Sequence, residues 1–271
     1  MAIKVRKPRN ASLRFQSFLD NSDITTQKSE KSLTVGLHRK GGRNVYGRIT
    51  TRHQGGGAKR KYRIIDFKRS EHDIEGVVKT VEYDPNRNVR IGLVFYKNGV
   101  KRYMLLPINV GVGYAVISGK NVEPKVGNCL PIRNIPVGFL MHNIEMRPGT
   151  GGKLVRSAGT GAQIIGKGDH FATVKMPSNE VRLINLDCWA TVGSLGNADF
   201  KNITWGKAGR MRNKGIRPSV RGMAMNPVDH PHGGGEGRSK SGSHPVSPWN
   251  KGCKGTRTRK RKDFRIIRRR K

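Results

Sequence analysis

The 271-residue sequence predicts a mainly β protein, with two small barrels in the middle flanked by extended basic tails. Three observations carry this reading. Between residues 61 and 199, short apolar runs alternate with polar residues at a period of two, separated by Gly, Pro, Asn and Asp. No segment holds the helical period for more than one or two turns. The positive charge is concentrated outside that central region.

The first barrel is expected over residues 61–122. Tyr62–Phe67 and Gly76–Tyr83 are strand candidates, and Asp84-Pro-Asn-Arg-Asn88 supplies turn chemistry between strands. Val89, Ile91, Leu93 and Phe95 alternate with Arg90 and Gly92, which predicts one apolar face. Asn98-Gly99 is a strong hairpin signal, followed by strand candidates at Tyr103–Leu106 and Gly113–Gly119. Lys120–Lys125, with Pro124, reads as a linker. The second barrel is expected over 125–199, with strands at Val137–Met146, Lys153–Ser157, Ala162–Ile165, Phe171–Met176 and Glu180–Leu186. Pro177-Ser-Asn179 turns the last pair, and Ala172, Val174 and Met176 form an inward face. Residues 1–60 and 200–271 are expected to be basic extensions rich in Gly, and at the rear in Pro.

Charge narrows the function. Lys and Arg number 54 against 18 Asp and Glu, a formal net charge of +36. Residues 61–199 hold 19 basic and 12 acidic residues, net +7, so the two ends carry the remaining +29. No acid lies between Glu30 and Asp66, between Asp199 and Asp229, or between Glu236 and Asp263. Segments of this composition repel themselves and need a polyanion to order them. A free-standing metabolic enzyme is disfavoured.

Other classes fall away. No run approaches the roughly 18 apolar residues of a membrane span. The opening Met1–Pro8 lacks the apolar stretch of a signal peptide, so use in the cytoplasm, or in an organelle that encodes the protein, is expected. Cys129, Cys188 and Cys253 are isolated, which excludes a zinc finger or disulfide framework. Gly149-Thr-Gly-Gly-Lys153 imitates a phosphate-binding loop, but Arg147 stands where the first Gly is needed and Leu154 where Ser or Thr is needed. Gly111-Val-Gly113 lacks the third Gly and the acidic partner of a dinucleotide fold. No cofactor and no protein-held metal is expected, beyond structural Mg2+ or K+ held mainly by RNA.

The basic ends carry the candidate chemistry. Gly allows a backbone to approach phosphate closely, and Arg supplies forked donors; Arg43, Arg48, Arg52, Lys59 and Arg60 combine the two around Gly55-Gly-Gly57. At the rear, Asn226-Pro-Val-Asp-His-Pro-His232 offers Asp229, His230 and His232, a set without a recognised metal spacing or a neighbouring nucleophile. A Pro-stiffened RNA-contacting loop is the preferred reading. The remaining histidines, His142 among them, are expected as ordinary surface or RNA-contact residues. Trp205 and Trp249 are each placed to stack on a base or to pack on their own chain. The run from Arg257 to Lys262, with Arg265 and Arg268–Lys271, is electrostatic and has no amphipathic face for a membrane.

Several ordered motifs resemble those of the universal large-subunit ribosomal protein two family, in its bacterial or organellar form. They are Gly47–His53, Gly55–Gly57, Tyr62–Arg69, Glu82–Arg87, Arg133–Gly138, His142–Met146, Arg156–Gly159, Arg217–Gly222 and Met225–Arg238. The resemblance implies an oligonucleotide-binding-like barrel followed by an SH3-like barrel. It also implies primary binding to large-subunit rRNA, roles in subunit association and tRNA binding, and a rear extension reaching toward the peptidyl-transferase centre. Implied partners are large-subunit rRNA, small-subunit rRNA across the subunit interface, neighbouring ribosomal proteins and, indirectly, tRNA. His230 matches a family histidine once suspected of a part in peptide transfer; it is assigned no chemistry here. Ala58 departs from the family pattern, which has His there, so no RNA contact is assigned to it. Composition and resemblance together nominate Arg43, Arg48, Arg52, His53, Lys59, Arg60, Arg63 and Arg87 at the front. At the rear they nominate Lys207, Arg210, Arg217, Arg221, Asn226, His230, His232, Arg238, Trp249, Arg257 and Arg259. A DNA-compacting protein and an enzyme using His230 are the two rival readings.

Overall fold

The computed structural model describes residues 3–235, 244–256 and 263–270. Its strands, in chain order, are β1 (Ile3–Val5), β2 (Ser17–Leu19), β3 (Thr34–Gly36), β4 (Lys61–Arg63), β5 (Gly76–Glu82), β6 (Ile91–Tyr96), β7 (Lys101–Leu105) and β8 (Ala115–Val116). They continue with β9 (Cys129–Pro131), β10 (Leu140–His142), β11 (Ile144–Glu145), β12 (Gly152–Leu154), β13 (Ala162–Lys167), β14 (Phe171–Lys175), β15 (Val181–Asn185), β16 (Trp189–Val192) and β17 (Ile266–Arg268). The α-helix among the described residues, α1, spans Ala208–Asn213. The chain divides into two compact units. One comprises Met1–His38, Lys59–Lys207 and Phe264–Lys271; the other comprises Arg39–Ala58 and Ala208–Asp263.

The β unit contains both barrel regions. The first is a curled sheet in the order β7-β6-β5-β8, all antiparallel, with a bulge in β5 between Val78 and Thr80 that bends the strand. The β6–β7 hairpin closes where Asn98-Gly99 predicts it. Gly99 has φ +82° and Tyr96 N–H donates to Val100 O. The expected single apolar face of β6 is corrected. Ile91 and Leu93 pack with Ile65, Tyr103 and Leu195, while Val94 and Tyr96 pack on the other side with Val78, Met104 and Val116. Both faces of β6 are therefore buried for most of its length. Phe95 turns out to the surface under the Lys101 ammonium, 5.0 Å from the ring centre.

The second region is one sheet in the order β17-β15-β14-β13-β10-β16-β9 around Met141, Ile164, Ala172, Val174 and Ile184. Ala172 and Val174 face inward as expected, and Met176 packs partly against them. The run expected as one strand over Val137–Met146 breaks at Asn143, whose φ is +51°. Val155, at φ +53°, breaks the facing run at the matching place, and Asn143 N–H donates to Val155 O. β9 and β16 are too short for periodicity to reveal; β16 carries the inward Ala190 and Val192.

The ends differ from the expected tails. Residues 3–38 fold onto the β unit: β1 pairs with β2, β3 with β4, and Thr25 exchanges hydrogen bonds with Val81. Arg90 bonds Asp23 at 3.0 Å. At the other end β17 adds to β15, with Leu183 N–H donating to Arg265 O. In the front segment Asp20, Asp23 and Glu30 pair with Lys4, Arg90 and Lys101.

The loop that imitates a phosphate site is filled by its own chain. Glu145, 3% exposed, accepts from the N–H groups of Gly149, Gly151 and Trp189 at 3.2, 2.7 and 3.1 Å. Those backbone donors satisfy a buried carboxylate and are unavailable to a nucleotide.

Candidate nucleic-acid interface

The second unit is the most basic part of the molecule. Arg39–Ala58 and Ala208–Asp263 hold 19 basic and 3 acidic residues, net +16, in 76 positions. The other 195 positions carry +20. The front and rear basic segments, expected at opposite ends of the chain, are thus one structure.

Backbone bonds join them. Gly55 N–H donates to Gly215 O and Ala58 N–H to Asn213 O, each at 2.8 Å, and Arg217 N–H donates to His53 O at 2.9 Å. The Gly triplet is needed for this approach. A side chain at Gly57, where φ is +88°, would meet Gly215 N at 2.6 Å and Asn213 O at 2.7 Å. The Arg39 guanidinium holds the same segment by donating to the carbonyls of Gly56, Gly57 (2.8 Å) and Ala58. α1, whose last turn carries Arg210 and Arg212, leads directly into this junction.

The loop that follows is held by its histidines. His232 N–H donates to His230 Nδ1 at 3.0 Å, and Val246 N–H donates to His232 Nε2 at 2.9 Å. The two rings stack, with centres 5.2 Å apart. Gly222 makes room for the His230 ring, whose nearest atoms lie 2.5 Å from where a Cβ would stand. His230 is 8% exposed. Its ring packs inside the loop, against His232 and Gly222. Asp229 is exposed, and among the described residues no group of three or more His, Cys, Asp or Glu is placed to hold a metal.

The other nominated residues sort by burial. Arg43, Arg48, Arg52, Arg217, Arg221, Asn226 and Trp249 are exposed on this unit, and His53, Arg210 and His232 are half-buried in it. Lys59, Arg60, Arg63, Arg87 and Lys207 belong to the β unit. Lys59 and Lys207 are exposed there, and Arg60 donates to Pro85 O at 3.3 Å. Two arginines make contacts within the β unit. Arg63 is 8% exposed, with Nε 3.8 Å from the Glu82 carboxylate. Arg87 is paired with Asp84 at 2.5 Å and lies over the Tyr62 and Phe67 rings. Each guanidinium is drawn to a buried carboxylate, Arg63 from within the fold and Arg87 from a half-buried position. Arg238, Arg257 and Arg259 lie outside the described residues. His142, expected at the surface, is 1% exposed, and its Nδ1–H donates to Gly193 O at 2.8 Å. Burial pushes its pKa down to about 4, so the ring is neutral.

Sequence reasoning passed over Arg39, which clasps the triplet, and Arg69. Arg69 is 2% exposed and donates to Ser118 Oγ, Met104 Sδ and Gly127 O. Neither carries a local signal that separates it from the surrounding surface arginines. Among the described residues no helix is long and apolar enough to cross a membrane.

Comparison with known proteins agrees with this basic, two-part β architecture. A family described as Ribosomal Proteins L2, RNA binding N-terminal domain, matches residues 30–118. A second, Ribosomal Proteins L2, C-terminal domain, matches residues 125–250. The large ribosomal subunit protein uL2 of Wolinella succinogenes is 55% identical over 274 residues, covering the whole of both chains. The chain belongs to the ribosomal protein L2 family.

Proposed function

We propose that this protein is a structural constituent of the large ribosomal subunit, that it binds large-subunit rRNA, and that it is not an enzyme. Its mechanism is charge neutralisation combined with shape fixing. The observation that carries the reading is the joining of two distant basic segments into one unit of net +16 on a Gly-rich backbone. That form suits a folded RNA, whose phosphates come close together in space, better than one face of a duplex. The exposed Arg43, Arg48, Arg52, Arg217 and Arg221 are assigned to phosphates, and Trp249 to a base. The site of action is the ribosome, in the cytoplasm or in an organelle that encodes the protein.

The finer roles are part of the same proposal: support of subunit association through small-subunit rRNA, contact with neighbouring ribosomal proteins, and indirect support of tRNA binding and the peptidyl-transferase surroundings. Any Mg2+ or K+ at the interface is assigned to the RNA. The burial of His230 supports a positioning role for it within its loop.

Titrating deproteinised large-subunit rRNA with the full chain at rising salt tests the reading. With six to ten phosphates neutralised, affinity falls about 10³–10⁵-fold between 50 and 200 mM salt. Equal affinity for rRNA and for duplex DNA across that range favours DNA compaction instead. Subunits that assemble normally with His230→Ala yet fail in peptide transfer overturn the positioning role.

A further inference from the structure

We infer that Tyr46 is a base-stacking site: the apex of a rigid basic hairpin on which one unpaired nucleobase of the rRNA stacks. The inference rests on the rRNA-binding reading and adds to it a residue and a ligand class.

Val45 and Tyr46 are 90% and 87% exposed. The pair is adjacent, so it offers a small contiguous apolar face that the chain's own packing leaves open. The hairpin beneath them is well tied. Asn44 N–H donates to Arg48 O at 2.9 Å, and Arg43 bridges Ile49 across the stem. The Asn44 side chain accepts from the N–H groups of Tyr46 and Arg48, each at 3.0 Å. Gly47 takes φ +75°, the left-handed geometry the turn requires. Below, Thr50 and Thr51 N–H both donate to Gly42 O, and a Cβ on Gly42 would strike Thr51 O. The ring is therefore presented on a fixed backbone at its tip, and ordering it on binding costs little entropy.

The surroundings choose the ligand. Arg43, Arg48 and Arg52 are exposed on the same hairpin, and no acid occurs between Glu30 and Asp66. A protein surface that covered the ring would have to accept three exposed guanidiniums with no acid in their own segment. A nucleic acid supplies phosphates for the arginines and a flat π-face for the phenol. Single-stranded or bulged RNA exposes such faces, whereas a continuous A-form helix keeps them stacked. The hairpin also lies inside the segment that matches the RNA-binding domain family, residues 30–118.

The experiment measures the affinity of the full chain for deproteinised large-subunit rRNA with Tyr46→Ala, Tyr46→Leu and Tyr46→Phe. The exposed position leaves folding unaffected, which circular dichroism checks. Stacking predicts a loss of about 5- to 150-fold for Tyr46→Ala. It predicts a similar loss for Tyr46→Leu, and affinity within about 3-fold of wild type for Tyr46→Phe. Ultraviolet crosslinking should place Tyr46 on a single unpaired nucleotide. Unchanged affinity in Tyr46→Ala overturns the inference, as does retention by Tyr46→Leu (an apolar wedge) or loss in Tyr46→Phe (a hydroxyl contact). Wild-type affinity for rRNA alongside loss of a neighbouring protein from reconstituted subunits assigns the tip to a protein partner and also overturns it. If the wild-type chain itself fails to prefer rRNA to duplex DNA, the parent reading fails instead.

Discussion

Tyr103 donates its hydroxyl hydrogen to the Glu82 carboxylate, with Oε1 and Oε2 at 3.0 and 2.9 Å, inside the first barrel. The same oxygen accepts the Glu30 N–H at 2.9 Å. One hydroxyl thus ties an N-terminal segment to β5 and β7, and Arg63 completes the cluster from the far side of Glu82. Burial raises the Glu82 carboxyl above its ordinary value, and the Tyr103 bond opposes that rise.

Tyr103→Phe therefore leaves a buried acceptor and a backbone donor without their partner. The expected cost is about 1–3 kcal/mol at neutral pH. The sign with pH follows from the raised carboxyl. Stability linked to Glu82 is present below the ordinary value of 4.5 and diminishes as pH rises through the folded value. Removing the bond that holds the carboxyl down enlarges that loss, so the variant's deficit is larger at pH 7 than at pH 4. Urea titrations at both pH values measure it, and an equal deficit contradicts the assignment.

His142 has the opposite linkage. Its folded value lies near 4 and its ordinary value is 6.5. The unfolded chain takes up a proton below pH 6.5 while the folded chain does not. Stability is complete above 6.5 and falls as pH drops toward 4, by about 3 kcal/mol for this buried ring. Arg69 adds to the effect by disfavouring a second positive charge nearby. In His142→Gln the slope of unfolding free energy between pH 6.5 and 4 should flatten. Parallel curves for variant and wild type count against it.

The cysteines should separate by reactivity. Burial pushes the Cys129 and Cys188 thiols up to about 11 and about 12, and both are enclosed. Cys253 is exposed. Iodoacetamide at pH 8 is expected to label Cys253 alone in the native protein and all three in urea, read by mass spectrometry. Labelling of Cys129 or Cys188 at a comparable rate shows that the β unit opens readily.

Gly57→Ala should part the two basic segments. It adds a Cβ at φ +88° against Gly215 and Asn213. A destabilisation of at least about 1–2 kcal/mol, confined to this unit, is expected. Trypsin should then cut at Arg43, Arg48 and Arg52 several-fold faster, while cleavage within residues 61–199 stays unchanged. Equal cutting of both regions places the effect elsewhere.

Much of the β unit is legible in the chain itself. Short apolar runs mark β5 and β13, alternation marks β14, and Gly99 and Asn179 adopt the positive φ that their turn signals imply. Strands of two or three residues such as β8, β9 and β17 are not legible, because they exist only through the partner that completes their hydrogen bonds. The same holds for the candidate interface. Arg43 and Arg63 look alike in sequence, yet one projects from a hairpin and the other faces Glu82.

By itself the sequence determined the net +36, its concentration toward the two ends, and a β middle with little helix. Those follow from composition and from periods of two, which are local properties. Only the tertiary structure decided that residues 39–58 join 208–263, that residues 3–38 and 264–270 fold onto the barrels, and that His230 turns inward while Tyr46 turns out. Charge and propensity belong to a residue, but the carboxylate, carbonyl or open solvent that a side chain meets is set by segments far away in sequence.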